Sequence, residues 1–143
     1  MDEADLHIIA LLTLNSRQPL KRLAAEVGLS SPAVAERLRR LEEKGVIYGY
    51  TVDVDPVKLG YPLQALVRIN PLPGTLRKVE QLILSIPEFV ECDRVTGEDC
   101  FVGRLYIRSI EDLDIILEPF HELSRTNTSI VKAQPVRRRL PPS

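Results

Sequence analysis

Apolar residues recur every three or four positions through the first 45 residues, and short polar breaks divide them into three predicted helices. We expect Asp2 or Asp5 to cap the first helix, whose apolar face is Leu6, Ile8, Ile9 and Leu12. Pro19 suits the start of the second helix and Gly28 its end. The apolar stripe of that helix is Leu20, Leu23 and Val27.

The third helix has two different faces. Ser31 is expected as its N-cap, Pro32 as its first residue, and Gly45 as its end. Its predicted buried residues are Val34, Leu38 and Leu41. The opposite face presents Pro32, Ala33, Glu36, Arg39 and Arg40, with Arg37 at the edge. Two short helices joined by so tight a turn predict a helix-turn-helix.

After Gly45 the period shortens, and the apolar pattern becomes typical of strands. We predict strands at 46–54, 63–70, 89–96, 100–109 and 126–138, and helices at 75–86 and 111–123. From residue 63 the order is β-α-β-β-α-β, which is the ferredoxin-like arrangement. Two helices cover one face of such a sheet and leave the other bare, so self-association through the sheet is expected.

The predicted fold is therefore α+β, with an N-terminal winged helix-turn-helix followed by a ferredoxin-like βαββαβ domain. The predicted domains are 1–52 for the helix-turn-helix and 63–143 for the sheet domain, with 53–62 as a linker.

Composition excludes several classes of protein. The chain is 44% hydrophobic and 27% charged, with a net charge of −1 and two cysteines. Its apolar runs are too short to cross a bilayer, and its acidic start is unlike a signal peptide. These features predict a cytoplasmic protein with no membrane partner and no disulfide scaffold.

Charge is unevenly distributed. Residues 17–44 carry seven lysines and arginines against four glutamates, a net charge of +3, and the rest of the chain sums to −4. One interpretation is a solvated helix face with a Glu36–Arg40 pair in an αα-hairpin that merely packs. The other is DNA binding, because serine hydroxyls and N–H groups at a helix start bind phosphates, and arginines reach phosphates or guanine edges.

Sequence motifs for other chemistry are not found. The cysteines and histidines lack zinc spacing, and neither a glycine-rich phosphate loop nor a nucleophile motif occurs. Cys92 and Cys100 flank a predicted hairpin, where packing is favoured over a redox or metal role. His7 is interpreted as a helix-surface residue. We therefore predict no enzyme activity, no metal and no cofactor.

Several motifs together resemble the Lrp/AsnC family of transcription regulators, the leucine-responsive or feast/famine regulators. They are LNSRQPLKRLAAEVGLSSPAVAERLRRLEEKGVIYGYTVDVDPVKLGY (14–61), VTGEDCFV (95–102) and TNTSIV (126–131). The resemblance implies that Ser31 to Lys44 is the recognition helix for double-stranded DNA. It also implies that the DNA targets are pseudo-palindromic promoter sites. With the neighbouring basic residues, the predicted DNA-binding set is Lys21, Ser30, Ser31, Pro32, Ala33, Arg37, Arg39 and Arg40.

The resemblance also implies homodimers that pair through their sheets, commonly assembled as an octamer of four dimers. An amino-acid effector would bind between dimers, near the residues Gly97, Glu98, Asp99, Cys100, Thr126, Thr128 and Ser129. Carboxylates there can accept from its ammonium group, and N–H groups and hydroxyls can donate to its carboxylate. Judged from the residues alone, an ordinary acidic turn beside a threonine-rich strand is the competing interpretation.

Two departures from the family pattern bear on that site. Cys100 stands where many members have an aspartate that holds the effector's amino group, and HELSR precedes the last strand where Pro-Gly-Val is usual. The leading prediction is a nucleoid-associated, DNA-binding regulator tuned by an amino acid. The alternative is an effector-independent architectural DNA-binding protein of the same fold. A metabolic enzyme on the ferredoxin-like domain is a third, disfavoured interpretation.

Overall fold

The structure, a computed structural model, describes residues 1–98 and 100–143, so the predicted effector residue Asp99 lies outside the described residues. The chain forms two compact units: Met1–Asp53 with Pro135–Ser143, and Val54–Gln134. Residues 54–62, predicted as a linker, thus group with the second unit, and the last nine residues group with the first. The functional limits of the domains stay a prediction.

Three helices build the first unit: α1 (Glu3–Leu14), α2 (Leu20–Val27) and α3 (Ser31–Glu43). Asp2 caps α1 in a reciprocal arrangement with Asp5, as predicted. Gly28 ends α2 with φ of 75°, a left-handed conformation that glycine adopts without strain. The N-cap of α3 is Ser30, whose hydroxyl accepts from the N–H of Ala33, so the prediction of Ser31 was wrong by one residue.

The core of this unit lies where the three helices meet. Its buried residues are Ile8, Leu23, Ala24 and Val34. The small Ala24 allows the helices to approach closely, whereas Leu20, predicted to be buried, is 36% exposed. The interhelical packing, and not helix propensity, stabilises helices this short.

Residues 46–54 form no strand, so that prediction was wrong. The N–H groups of Val46 and Ile47 instead donate to the carbonyl of Leu41 and wrap the chain around the end of α3. Tyr48 is 96% exposed and Val52 78%. A β-branched, alternating pattern produces a strand only where a partner strand is available.

The second unit is a four-stranded antiparallel sheet in the order β2-β3-β1-β4, with two helices. Its strands are β1 (Leu63–Pro71), β2 (Phe89–Arg94), β3 (Phe101–Ile107) and β4 (Ser124–Ile130). Its helices are α4 (Leu76–Ser85) and α5 (Ile110–Leu117), the latter continued by a 3-10 turn (Glu118–Phe120). The predicted βαββαβ order, and with it the α+β class, is confirmed.

Two predicted elements were misplaced. The helix predicted over 111–123 ends as an α-helix at Leu117, because Pro119 lacks an N–H and favours a tighter turn. The last strand runs from Ser124 to Ile130 and not over 126–138. It ends well before Pro135, which cannot donate to a sheet.

One face of the sheet and the two helices enclose the core of this unit. The strands contribute Ala65, Val67, Ile69, Phe101, Leu105 and Ile107. The helices and the 3-10 turn contribute Val79, Ile83, Leu113, Leu117 and Phe120. Leu66, Val102 and Tyr106 alternate with core residues and are half-buried on the opposite face. Among the described residues, the helices are all too short or too polar to span a bilayer.

Candidate nucleic-acid interface and effector loop

The start of α3 is open to solvent. Ser30 and Pro32 are exposed, and Ser31 and Ala33 are half-buried. Although Pro32 has no N–H and the N–H of Ala33 donates to Ser30, this helix end carries a positive partial charge and two serine hydroxyls, so it can receive a phosphate oxygen. The short turn after Gly28 places it at the surface while Val34 anchors the helix in the core.

Arg37, predicted to contact DNA, lies in an ion-pair network with α1. Its Nη1 is 2.7 Å from the Asp2 carboxylate and 3.0 Å from Asp5 Oδ1, and its side chain is only 22% exposed. The hydrogen bond from Arg37 is the main cause that lowers the pKa of Asp2 to about 2. The same bonds raise the pKa of Arg37. Arg37 therefore fixes α3 to the start of α1.

Arg39 is also paired, but on the exposed surface of α3. Its Nη2 lies 2.5 Å from Glu36 Oε1, and its Nη1 contacts Glu43. The bond to Arg39 lowers the pKa of Glu36. The predicted Glu36–Arg40 pair was wrong, because Glu36 directs its carboxylate to Arg39 instead. Two carboxylates thus offset the single charge of Arg39.

Arg40 and Lys21 are the predicted cations that remain open to a ligand. Both side chains are exposed, and within residues 1–98 and 100–143 neither forms an ion pair. A solvated, unpaired guanidinium can bind a phosphate without first breaking an internal bond. Arg37 and Arg39, by contrast, would first have to leave their carboxylate partners.

Sequence reasoning missed the partners that position these groups. Asp2 and Asp5 were seen only as helix caps, although a cap with a spare carboxylate oxygen can also bind a cation. At the other end of α3, the hydroxyl of Tyr50 donates to Glu42 over 2.7 Å. Burial, with Glu42 nearby, raises the pKa of Tyr50 to about 12. Both contacts brace α3.

The predicted effector loop joins β2 to β3. The N–H of Val95 donates to the carbonyl of Cys100 over 2.8 Å, and Gly97 has φ of 106°. Glu98 is exposed and available as an acceptor. Cys100 packs partly against the core of the sheet and presents no charged group to solvent.

The three hydroxyl residues of β4 do not share a face. Thr126 pairs with Ile69 and Thr128 with Val67, so both point towards the helices. Ser129 pairs with Leu66 on the opposite face, where its hydroxyl accepts from Arg68 over 3.1 Å. Because β1 separates β3 from β4, two strand spacings of roughly 10 Å in all intervene. The six predicted effector residues that the structure describes are therefore not brought together in one chain.

The cysteines show no sign of metal or redox chemistry. Both are free thiols, and partial burial, with the charges of Asp93 and Glu80, raises the pKa of Cys92. A raised pKa leaves less of the reactive thiolate. No group of three or more potential metal ligands occurs among the described residues.

Two family descriptions match the chain. Residues 1–48 match winged helix-turn-helix DNA-binding domains, and residues 64–141 match the Lrp/AsnC ligand binding domain. The HTH-type transcriptional regulator LrpC from Bacillus subtilis is 30% identical over 131 residues, covering 92% of this chain and 91% of LrpC. LrpA from Pyrococcus horikoshii is 34% identical over 117 residues, covering 81% and 83% of the two chains.

Solved structures agree in fold. B. subtilis LrpC superposes with a TM-score of 0.90 at 28% identity, covering 96% of this chain and 99% of that one. A feast or famine regulatory protein from Mycobacterium tuberculosis, complexed with L-methionine, gives 0.88 at 31% identity and covers 97% of each chain.

Proposed function

Since the chain belongs to the Lrp/AsnC family of HTH-type transcriptional regulators, we propose that it binds specific sites in duplex DNA through α3 and regulates transcription there. The observation that carries this proposal is the exposed face of α3, with its solvent-exposed N-terminus and with Arg40, which forms no ion pair with the residues that the structure describes. A helix held in this way fits the major groove with its N-terminus leading.

The predicted DNA-binding residues divide into three roles. Ser30, Ser31, Pro32 and Ala33 form the leading end, where the positive helix end and the serine hydroxyls would meet phosphates. Arg40 and Lys21 supply unpaired positive charge. Arg37 positions α3 through Asp2 and Asp5, and Arg39 contributes less because two glutamates offset its charge.

An amino-acid effector is the second part of the proposal. The M. tuberculosis relative complexed with L-methionine supports this ligand class, since it matches over nearly the whole chain. Glu98 would accept from the ammonium group, and hydroxyls of β4 would donate to the carboxylate. Because one chain separates these groups, a second copy would complete the site, which is consistent with binding between dimers.

Assembly through the open face of the sheet follows the same reasoning. Leu66, Val102 and Tyr106 are half-buried there with no helix above them. We propose a homodimer formed on this face and an octamer of four dimers, in the cytoplasm and associated with the nucleoid. The alternative, an effector-independent architectural DNA-binding protein, is favoured by Cys100, which packs against the core and offers no charge to an effector.

Titration of a duplex from upstream of the protein's own gene tests the proposal. We expect wild-type protein to bind it, and Arg40→Ala to weaken binding by at least about fivefold, the lower range for an arginine that reads a base. Arg77→Ala on α4, also an exposed arginine, is the control and should bind as wild type does. Equal binding by Arg40→Ala and wild type would remove α3 as the recognition helix.

A further inference from the structure

The last nine residues, PVRRRLPPS, which we term the arginine segment, carry three consecutive arginines. They follow the sheet domain in sequence but group with the helix-turn-helix unit in the structure. The N-terminal unit thus contains basic residues that lie more than 90 positions away from α3 in the chain.

The arginine segment reverses the net charge of this unit. Residues 1–53 carry seven lysines and arginines against eight aspartates and glutamates, a net charge of −1, and the three arginines bring the unit to +2. Residues 54–134, with nine against twelve, have a net charge of −3. The arginine segment therefore adds to the attraction that the basic stretch 17–44 exerts on a polyanion, and makes the net charge of the unit positive.

The arginines of the segment are open to a ligand. Arg137 lies 3.4 Å from Asp53, with 74% and 87% of the two side chains exposed, so the pair is weak and anchors the segment loosely. Arg138 and Arg139 are exposed, and in the described part of the chain neither forms an ion pair. Two of the three arginines of α3, by contrast, are held by carboxylates.

Prolines flank the arginines on both sides. Pro135, Pro141 and Pro142 remove N–H donors and disfavour a helix, and the backbone bends at Val136 and Arg138. No helix or strand includes the segment. Three consecutive guanidinium groups on such a segment can each bond a phosphate through paired N–H donors.

We infer that the arginine segment is a second DNA-binding element, which contacts the phosphate backbone of the duplex that α3 recognises. The inference rests on the proposed function. Phosphate contacts carry no sequence information, so the segment adds affinity equally on every duplex while α3 selects the site.

The salt dependence of DNA affinity tests whether the arginine segment contacts phosphates. Each phosphate contact releases counterions, so its loss reduces the slope of log affinity against log salt by about 0.9. The double variant Arg138→Ala with Arg139→Ala should lower the slope by about 1.8. Its loss of affinity relative to wild type should shrink roughly tenfold when the salt concentration rises about fourfold. The deficit should be the same on the upstream duplex and on a duplex of shuffled sequence.

A matched control removes two charges elsewhere. Arg77→Ala with Lys78→Ala deletes an adjacent, exposed basic pair on α4, in the other unit. It should retain the wild-type slope, and thermal unfolding of both variants should match wild type. An equal loss of slope in both double variants would mean that net charge alone matters, and would overturn the inference.

Two further outcomes separate the inference from the proposed function. If Arg40→Ala loses binding while the Arg138/Arg139 variant keeps the wild-type slope, the inference fails and the proposed function stands. If that variant keeps the slope but changes the oligomeric mass in light scattering, the segment contacts another subunit and the inference again fails. If wild-type protein binds no duplex at low salt, both fail.

Discussion

The guanidinium of Arg37 lies 2.7 Å from both carboxylate oxygens of Asp2, 35 residues away in sequence. Asp2 is also the N-cap of α1, so a single carboxylate caps the start of α1 and binds a side chain of α3. The pair joins the start of α1 to the middle of α3, the helix that we propose enters the DNA groove.

This pair makes the stability of the N-terminal unit sensitive to acid. The folded-state pKa of Asp2 is about 2, below the ordinary value of 3.8, because Arg37 binds the charged form. The contribution of the Asp2–Arg37 pair to the free energy of unfolding is therefore nearly complete above about pH 4, and it is lost as the pH falls towards 2. Asp2→Asn, which keeps the N-cap, should lower the urea midpoint of the helical signal at pH 7 but match wild type near pH 2.

Arg39 supplies the control, because its pairs lie on the surface of a single helix. Arg37→Ala should lower the midpoint clearly, whereas Arg39→Ala should change it little. Equal urea midpoints for the two variants would show that the ion pairs between α1 and α3 stabilise the unit no more than the surface pairs of Arg39 do.

Removing a carboxylate from the face of α3 should strengthen DNA binding. Glu36 accepts two hydrogen bonds from Arg39 and also adds negative charge to the surface that we propose faces the DNA phosphates. Glu36→Gln should raise affinity for duplex DNA at low salt and steepen the salt slope by up to about 0.9 as Arg39 becomes available. Glu111→Gln on α5 should change neither quantity; a weaker-binding Glu36→Gln would mean that Glu36 itself contacts the DNA.

The sheet has one position where only glycine fits. A Cβ on Gly103 would lie 2.6 Å from Cε1 of Phe89, whose ring stacks edge-on against Phe120 at 6.0 Å. Gly103→Ala should destabilise the second unit by about 1–3 kcal/mol, the usual cost of overpacking. Gly49→Ala, with open space around its Cβ, should be close to neutral. Restored stability in Gly103→Ala with Phe89→Leu would confirm the cause.

Periodicity predicted most of the fold, because buried faces repeat regularly along the chain. Val67, Ile69, Leu105 and Ile107 alternate with half-buried residues as the pattern requires. It failed at residues 46–54, where the strand pattern is present but a partner strand is not. Strand pairing depends on which segments meet in the folded chain, so the local sequence pattern alone cannot decide whether a strand forms.

The candidate site was less predictable, since side-chain pairing depends on contacts distant in sequence. Helical spacing correctly placed Arg39 and Arg40 on the exposed side of α3 and Arg37 at its edge, where the side chain is half-buried. It did not reveal that Asp2 binds Arg37, or that Glu36 prefers Arg39 to Arg40. Strand alternation alone places Thr128 and Ser129 on opposite faces of β4, whereas the register with β1, unknown from sequence, decides that Thr128 is the one facing the helices.

An amino-acid effector should raise the thermal stability of the assembled protein, because a ligand that binds only the folded state stabilises it by mass action. Among the twenty amino acids, at least one should raise Tm in a concentration-dependent way. Glu98→Gln, which removes an exposed acceptor for the ammonium group, should reduce that shift, whereas Glu80→Gln on α4 should retain it. If none of the twenty amino acids changes the Tm of the wild-type protein, and the protein still binds DNA, the effector-independent architectural function is supported instead.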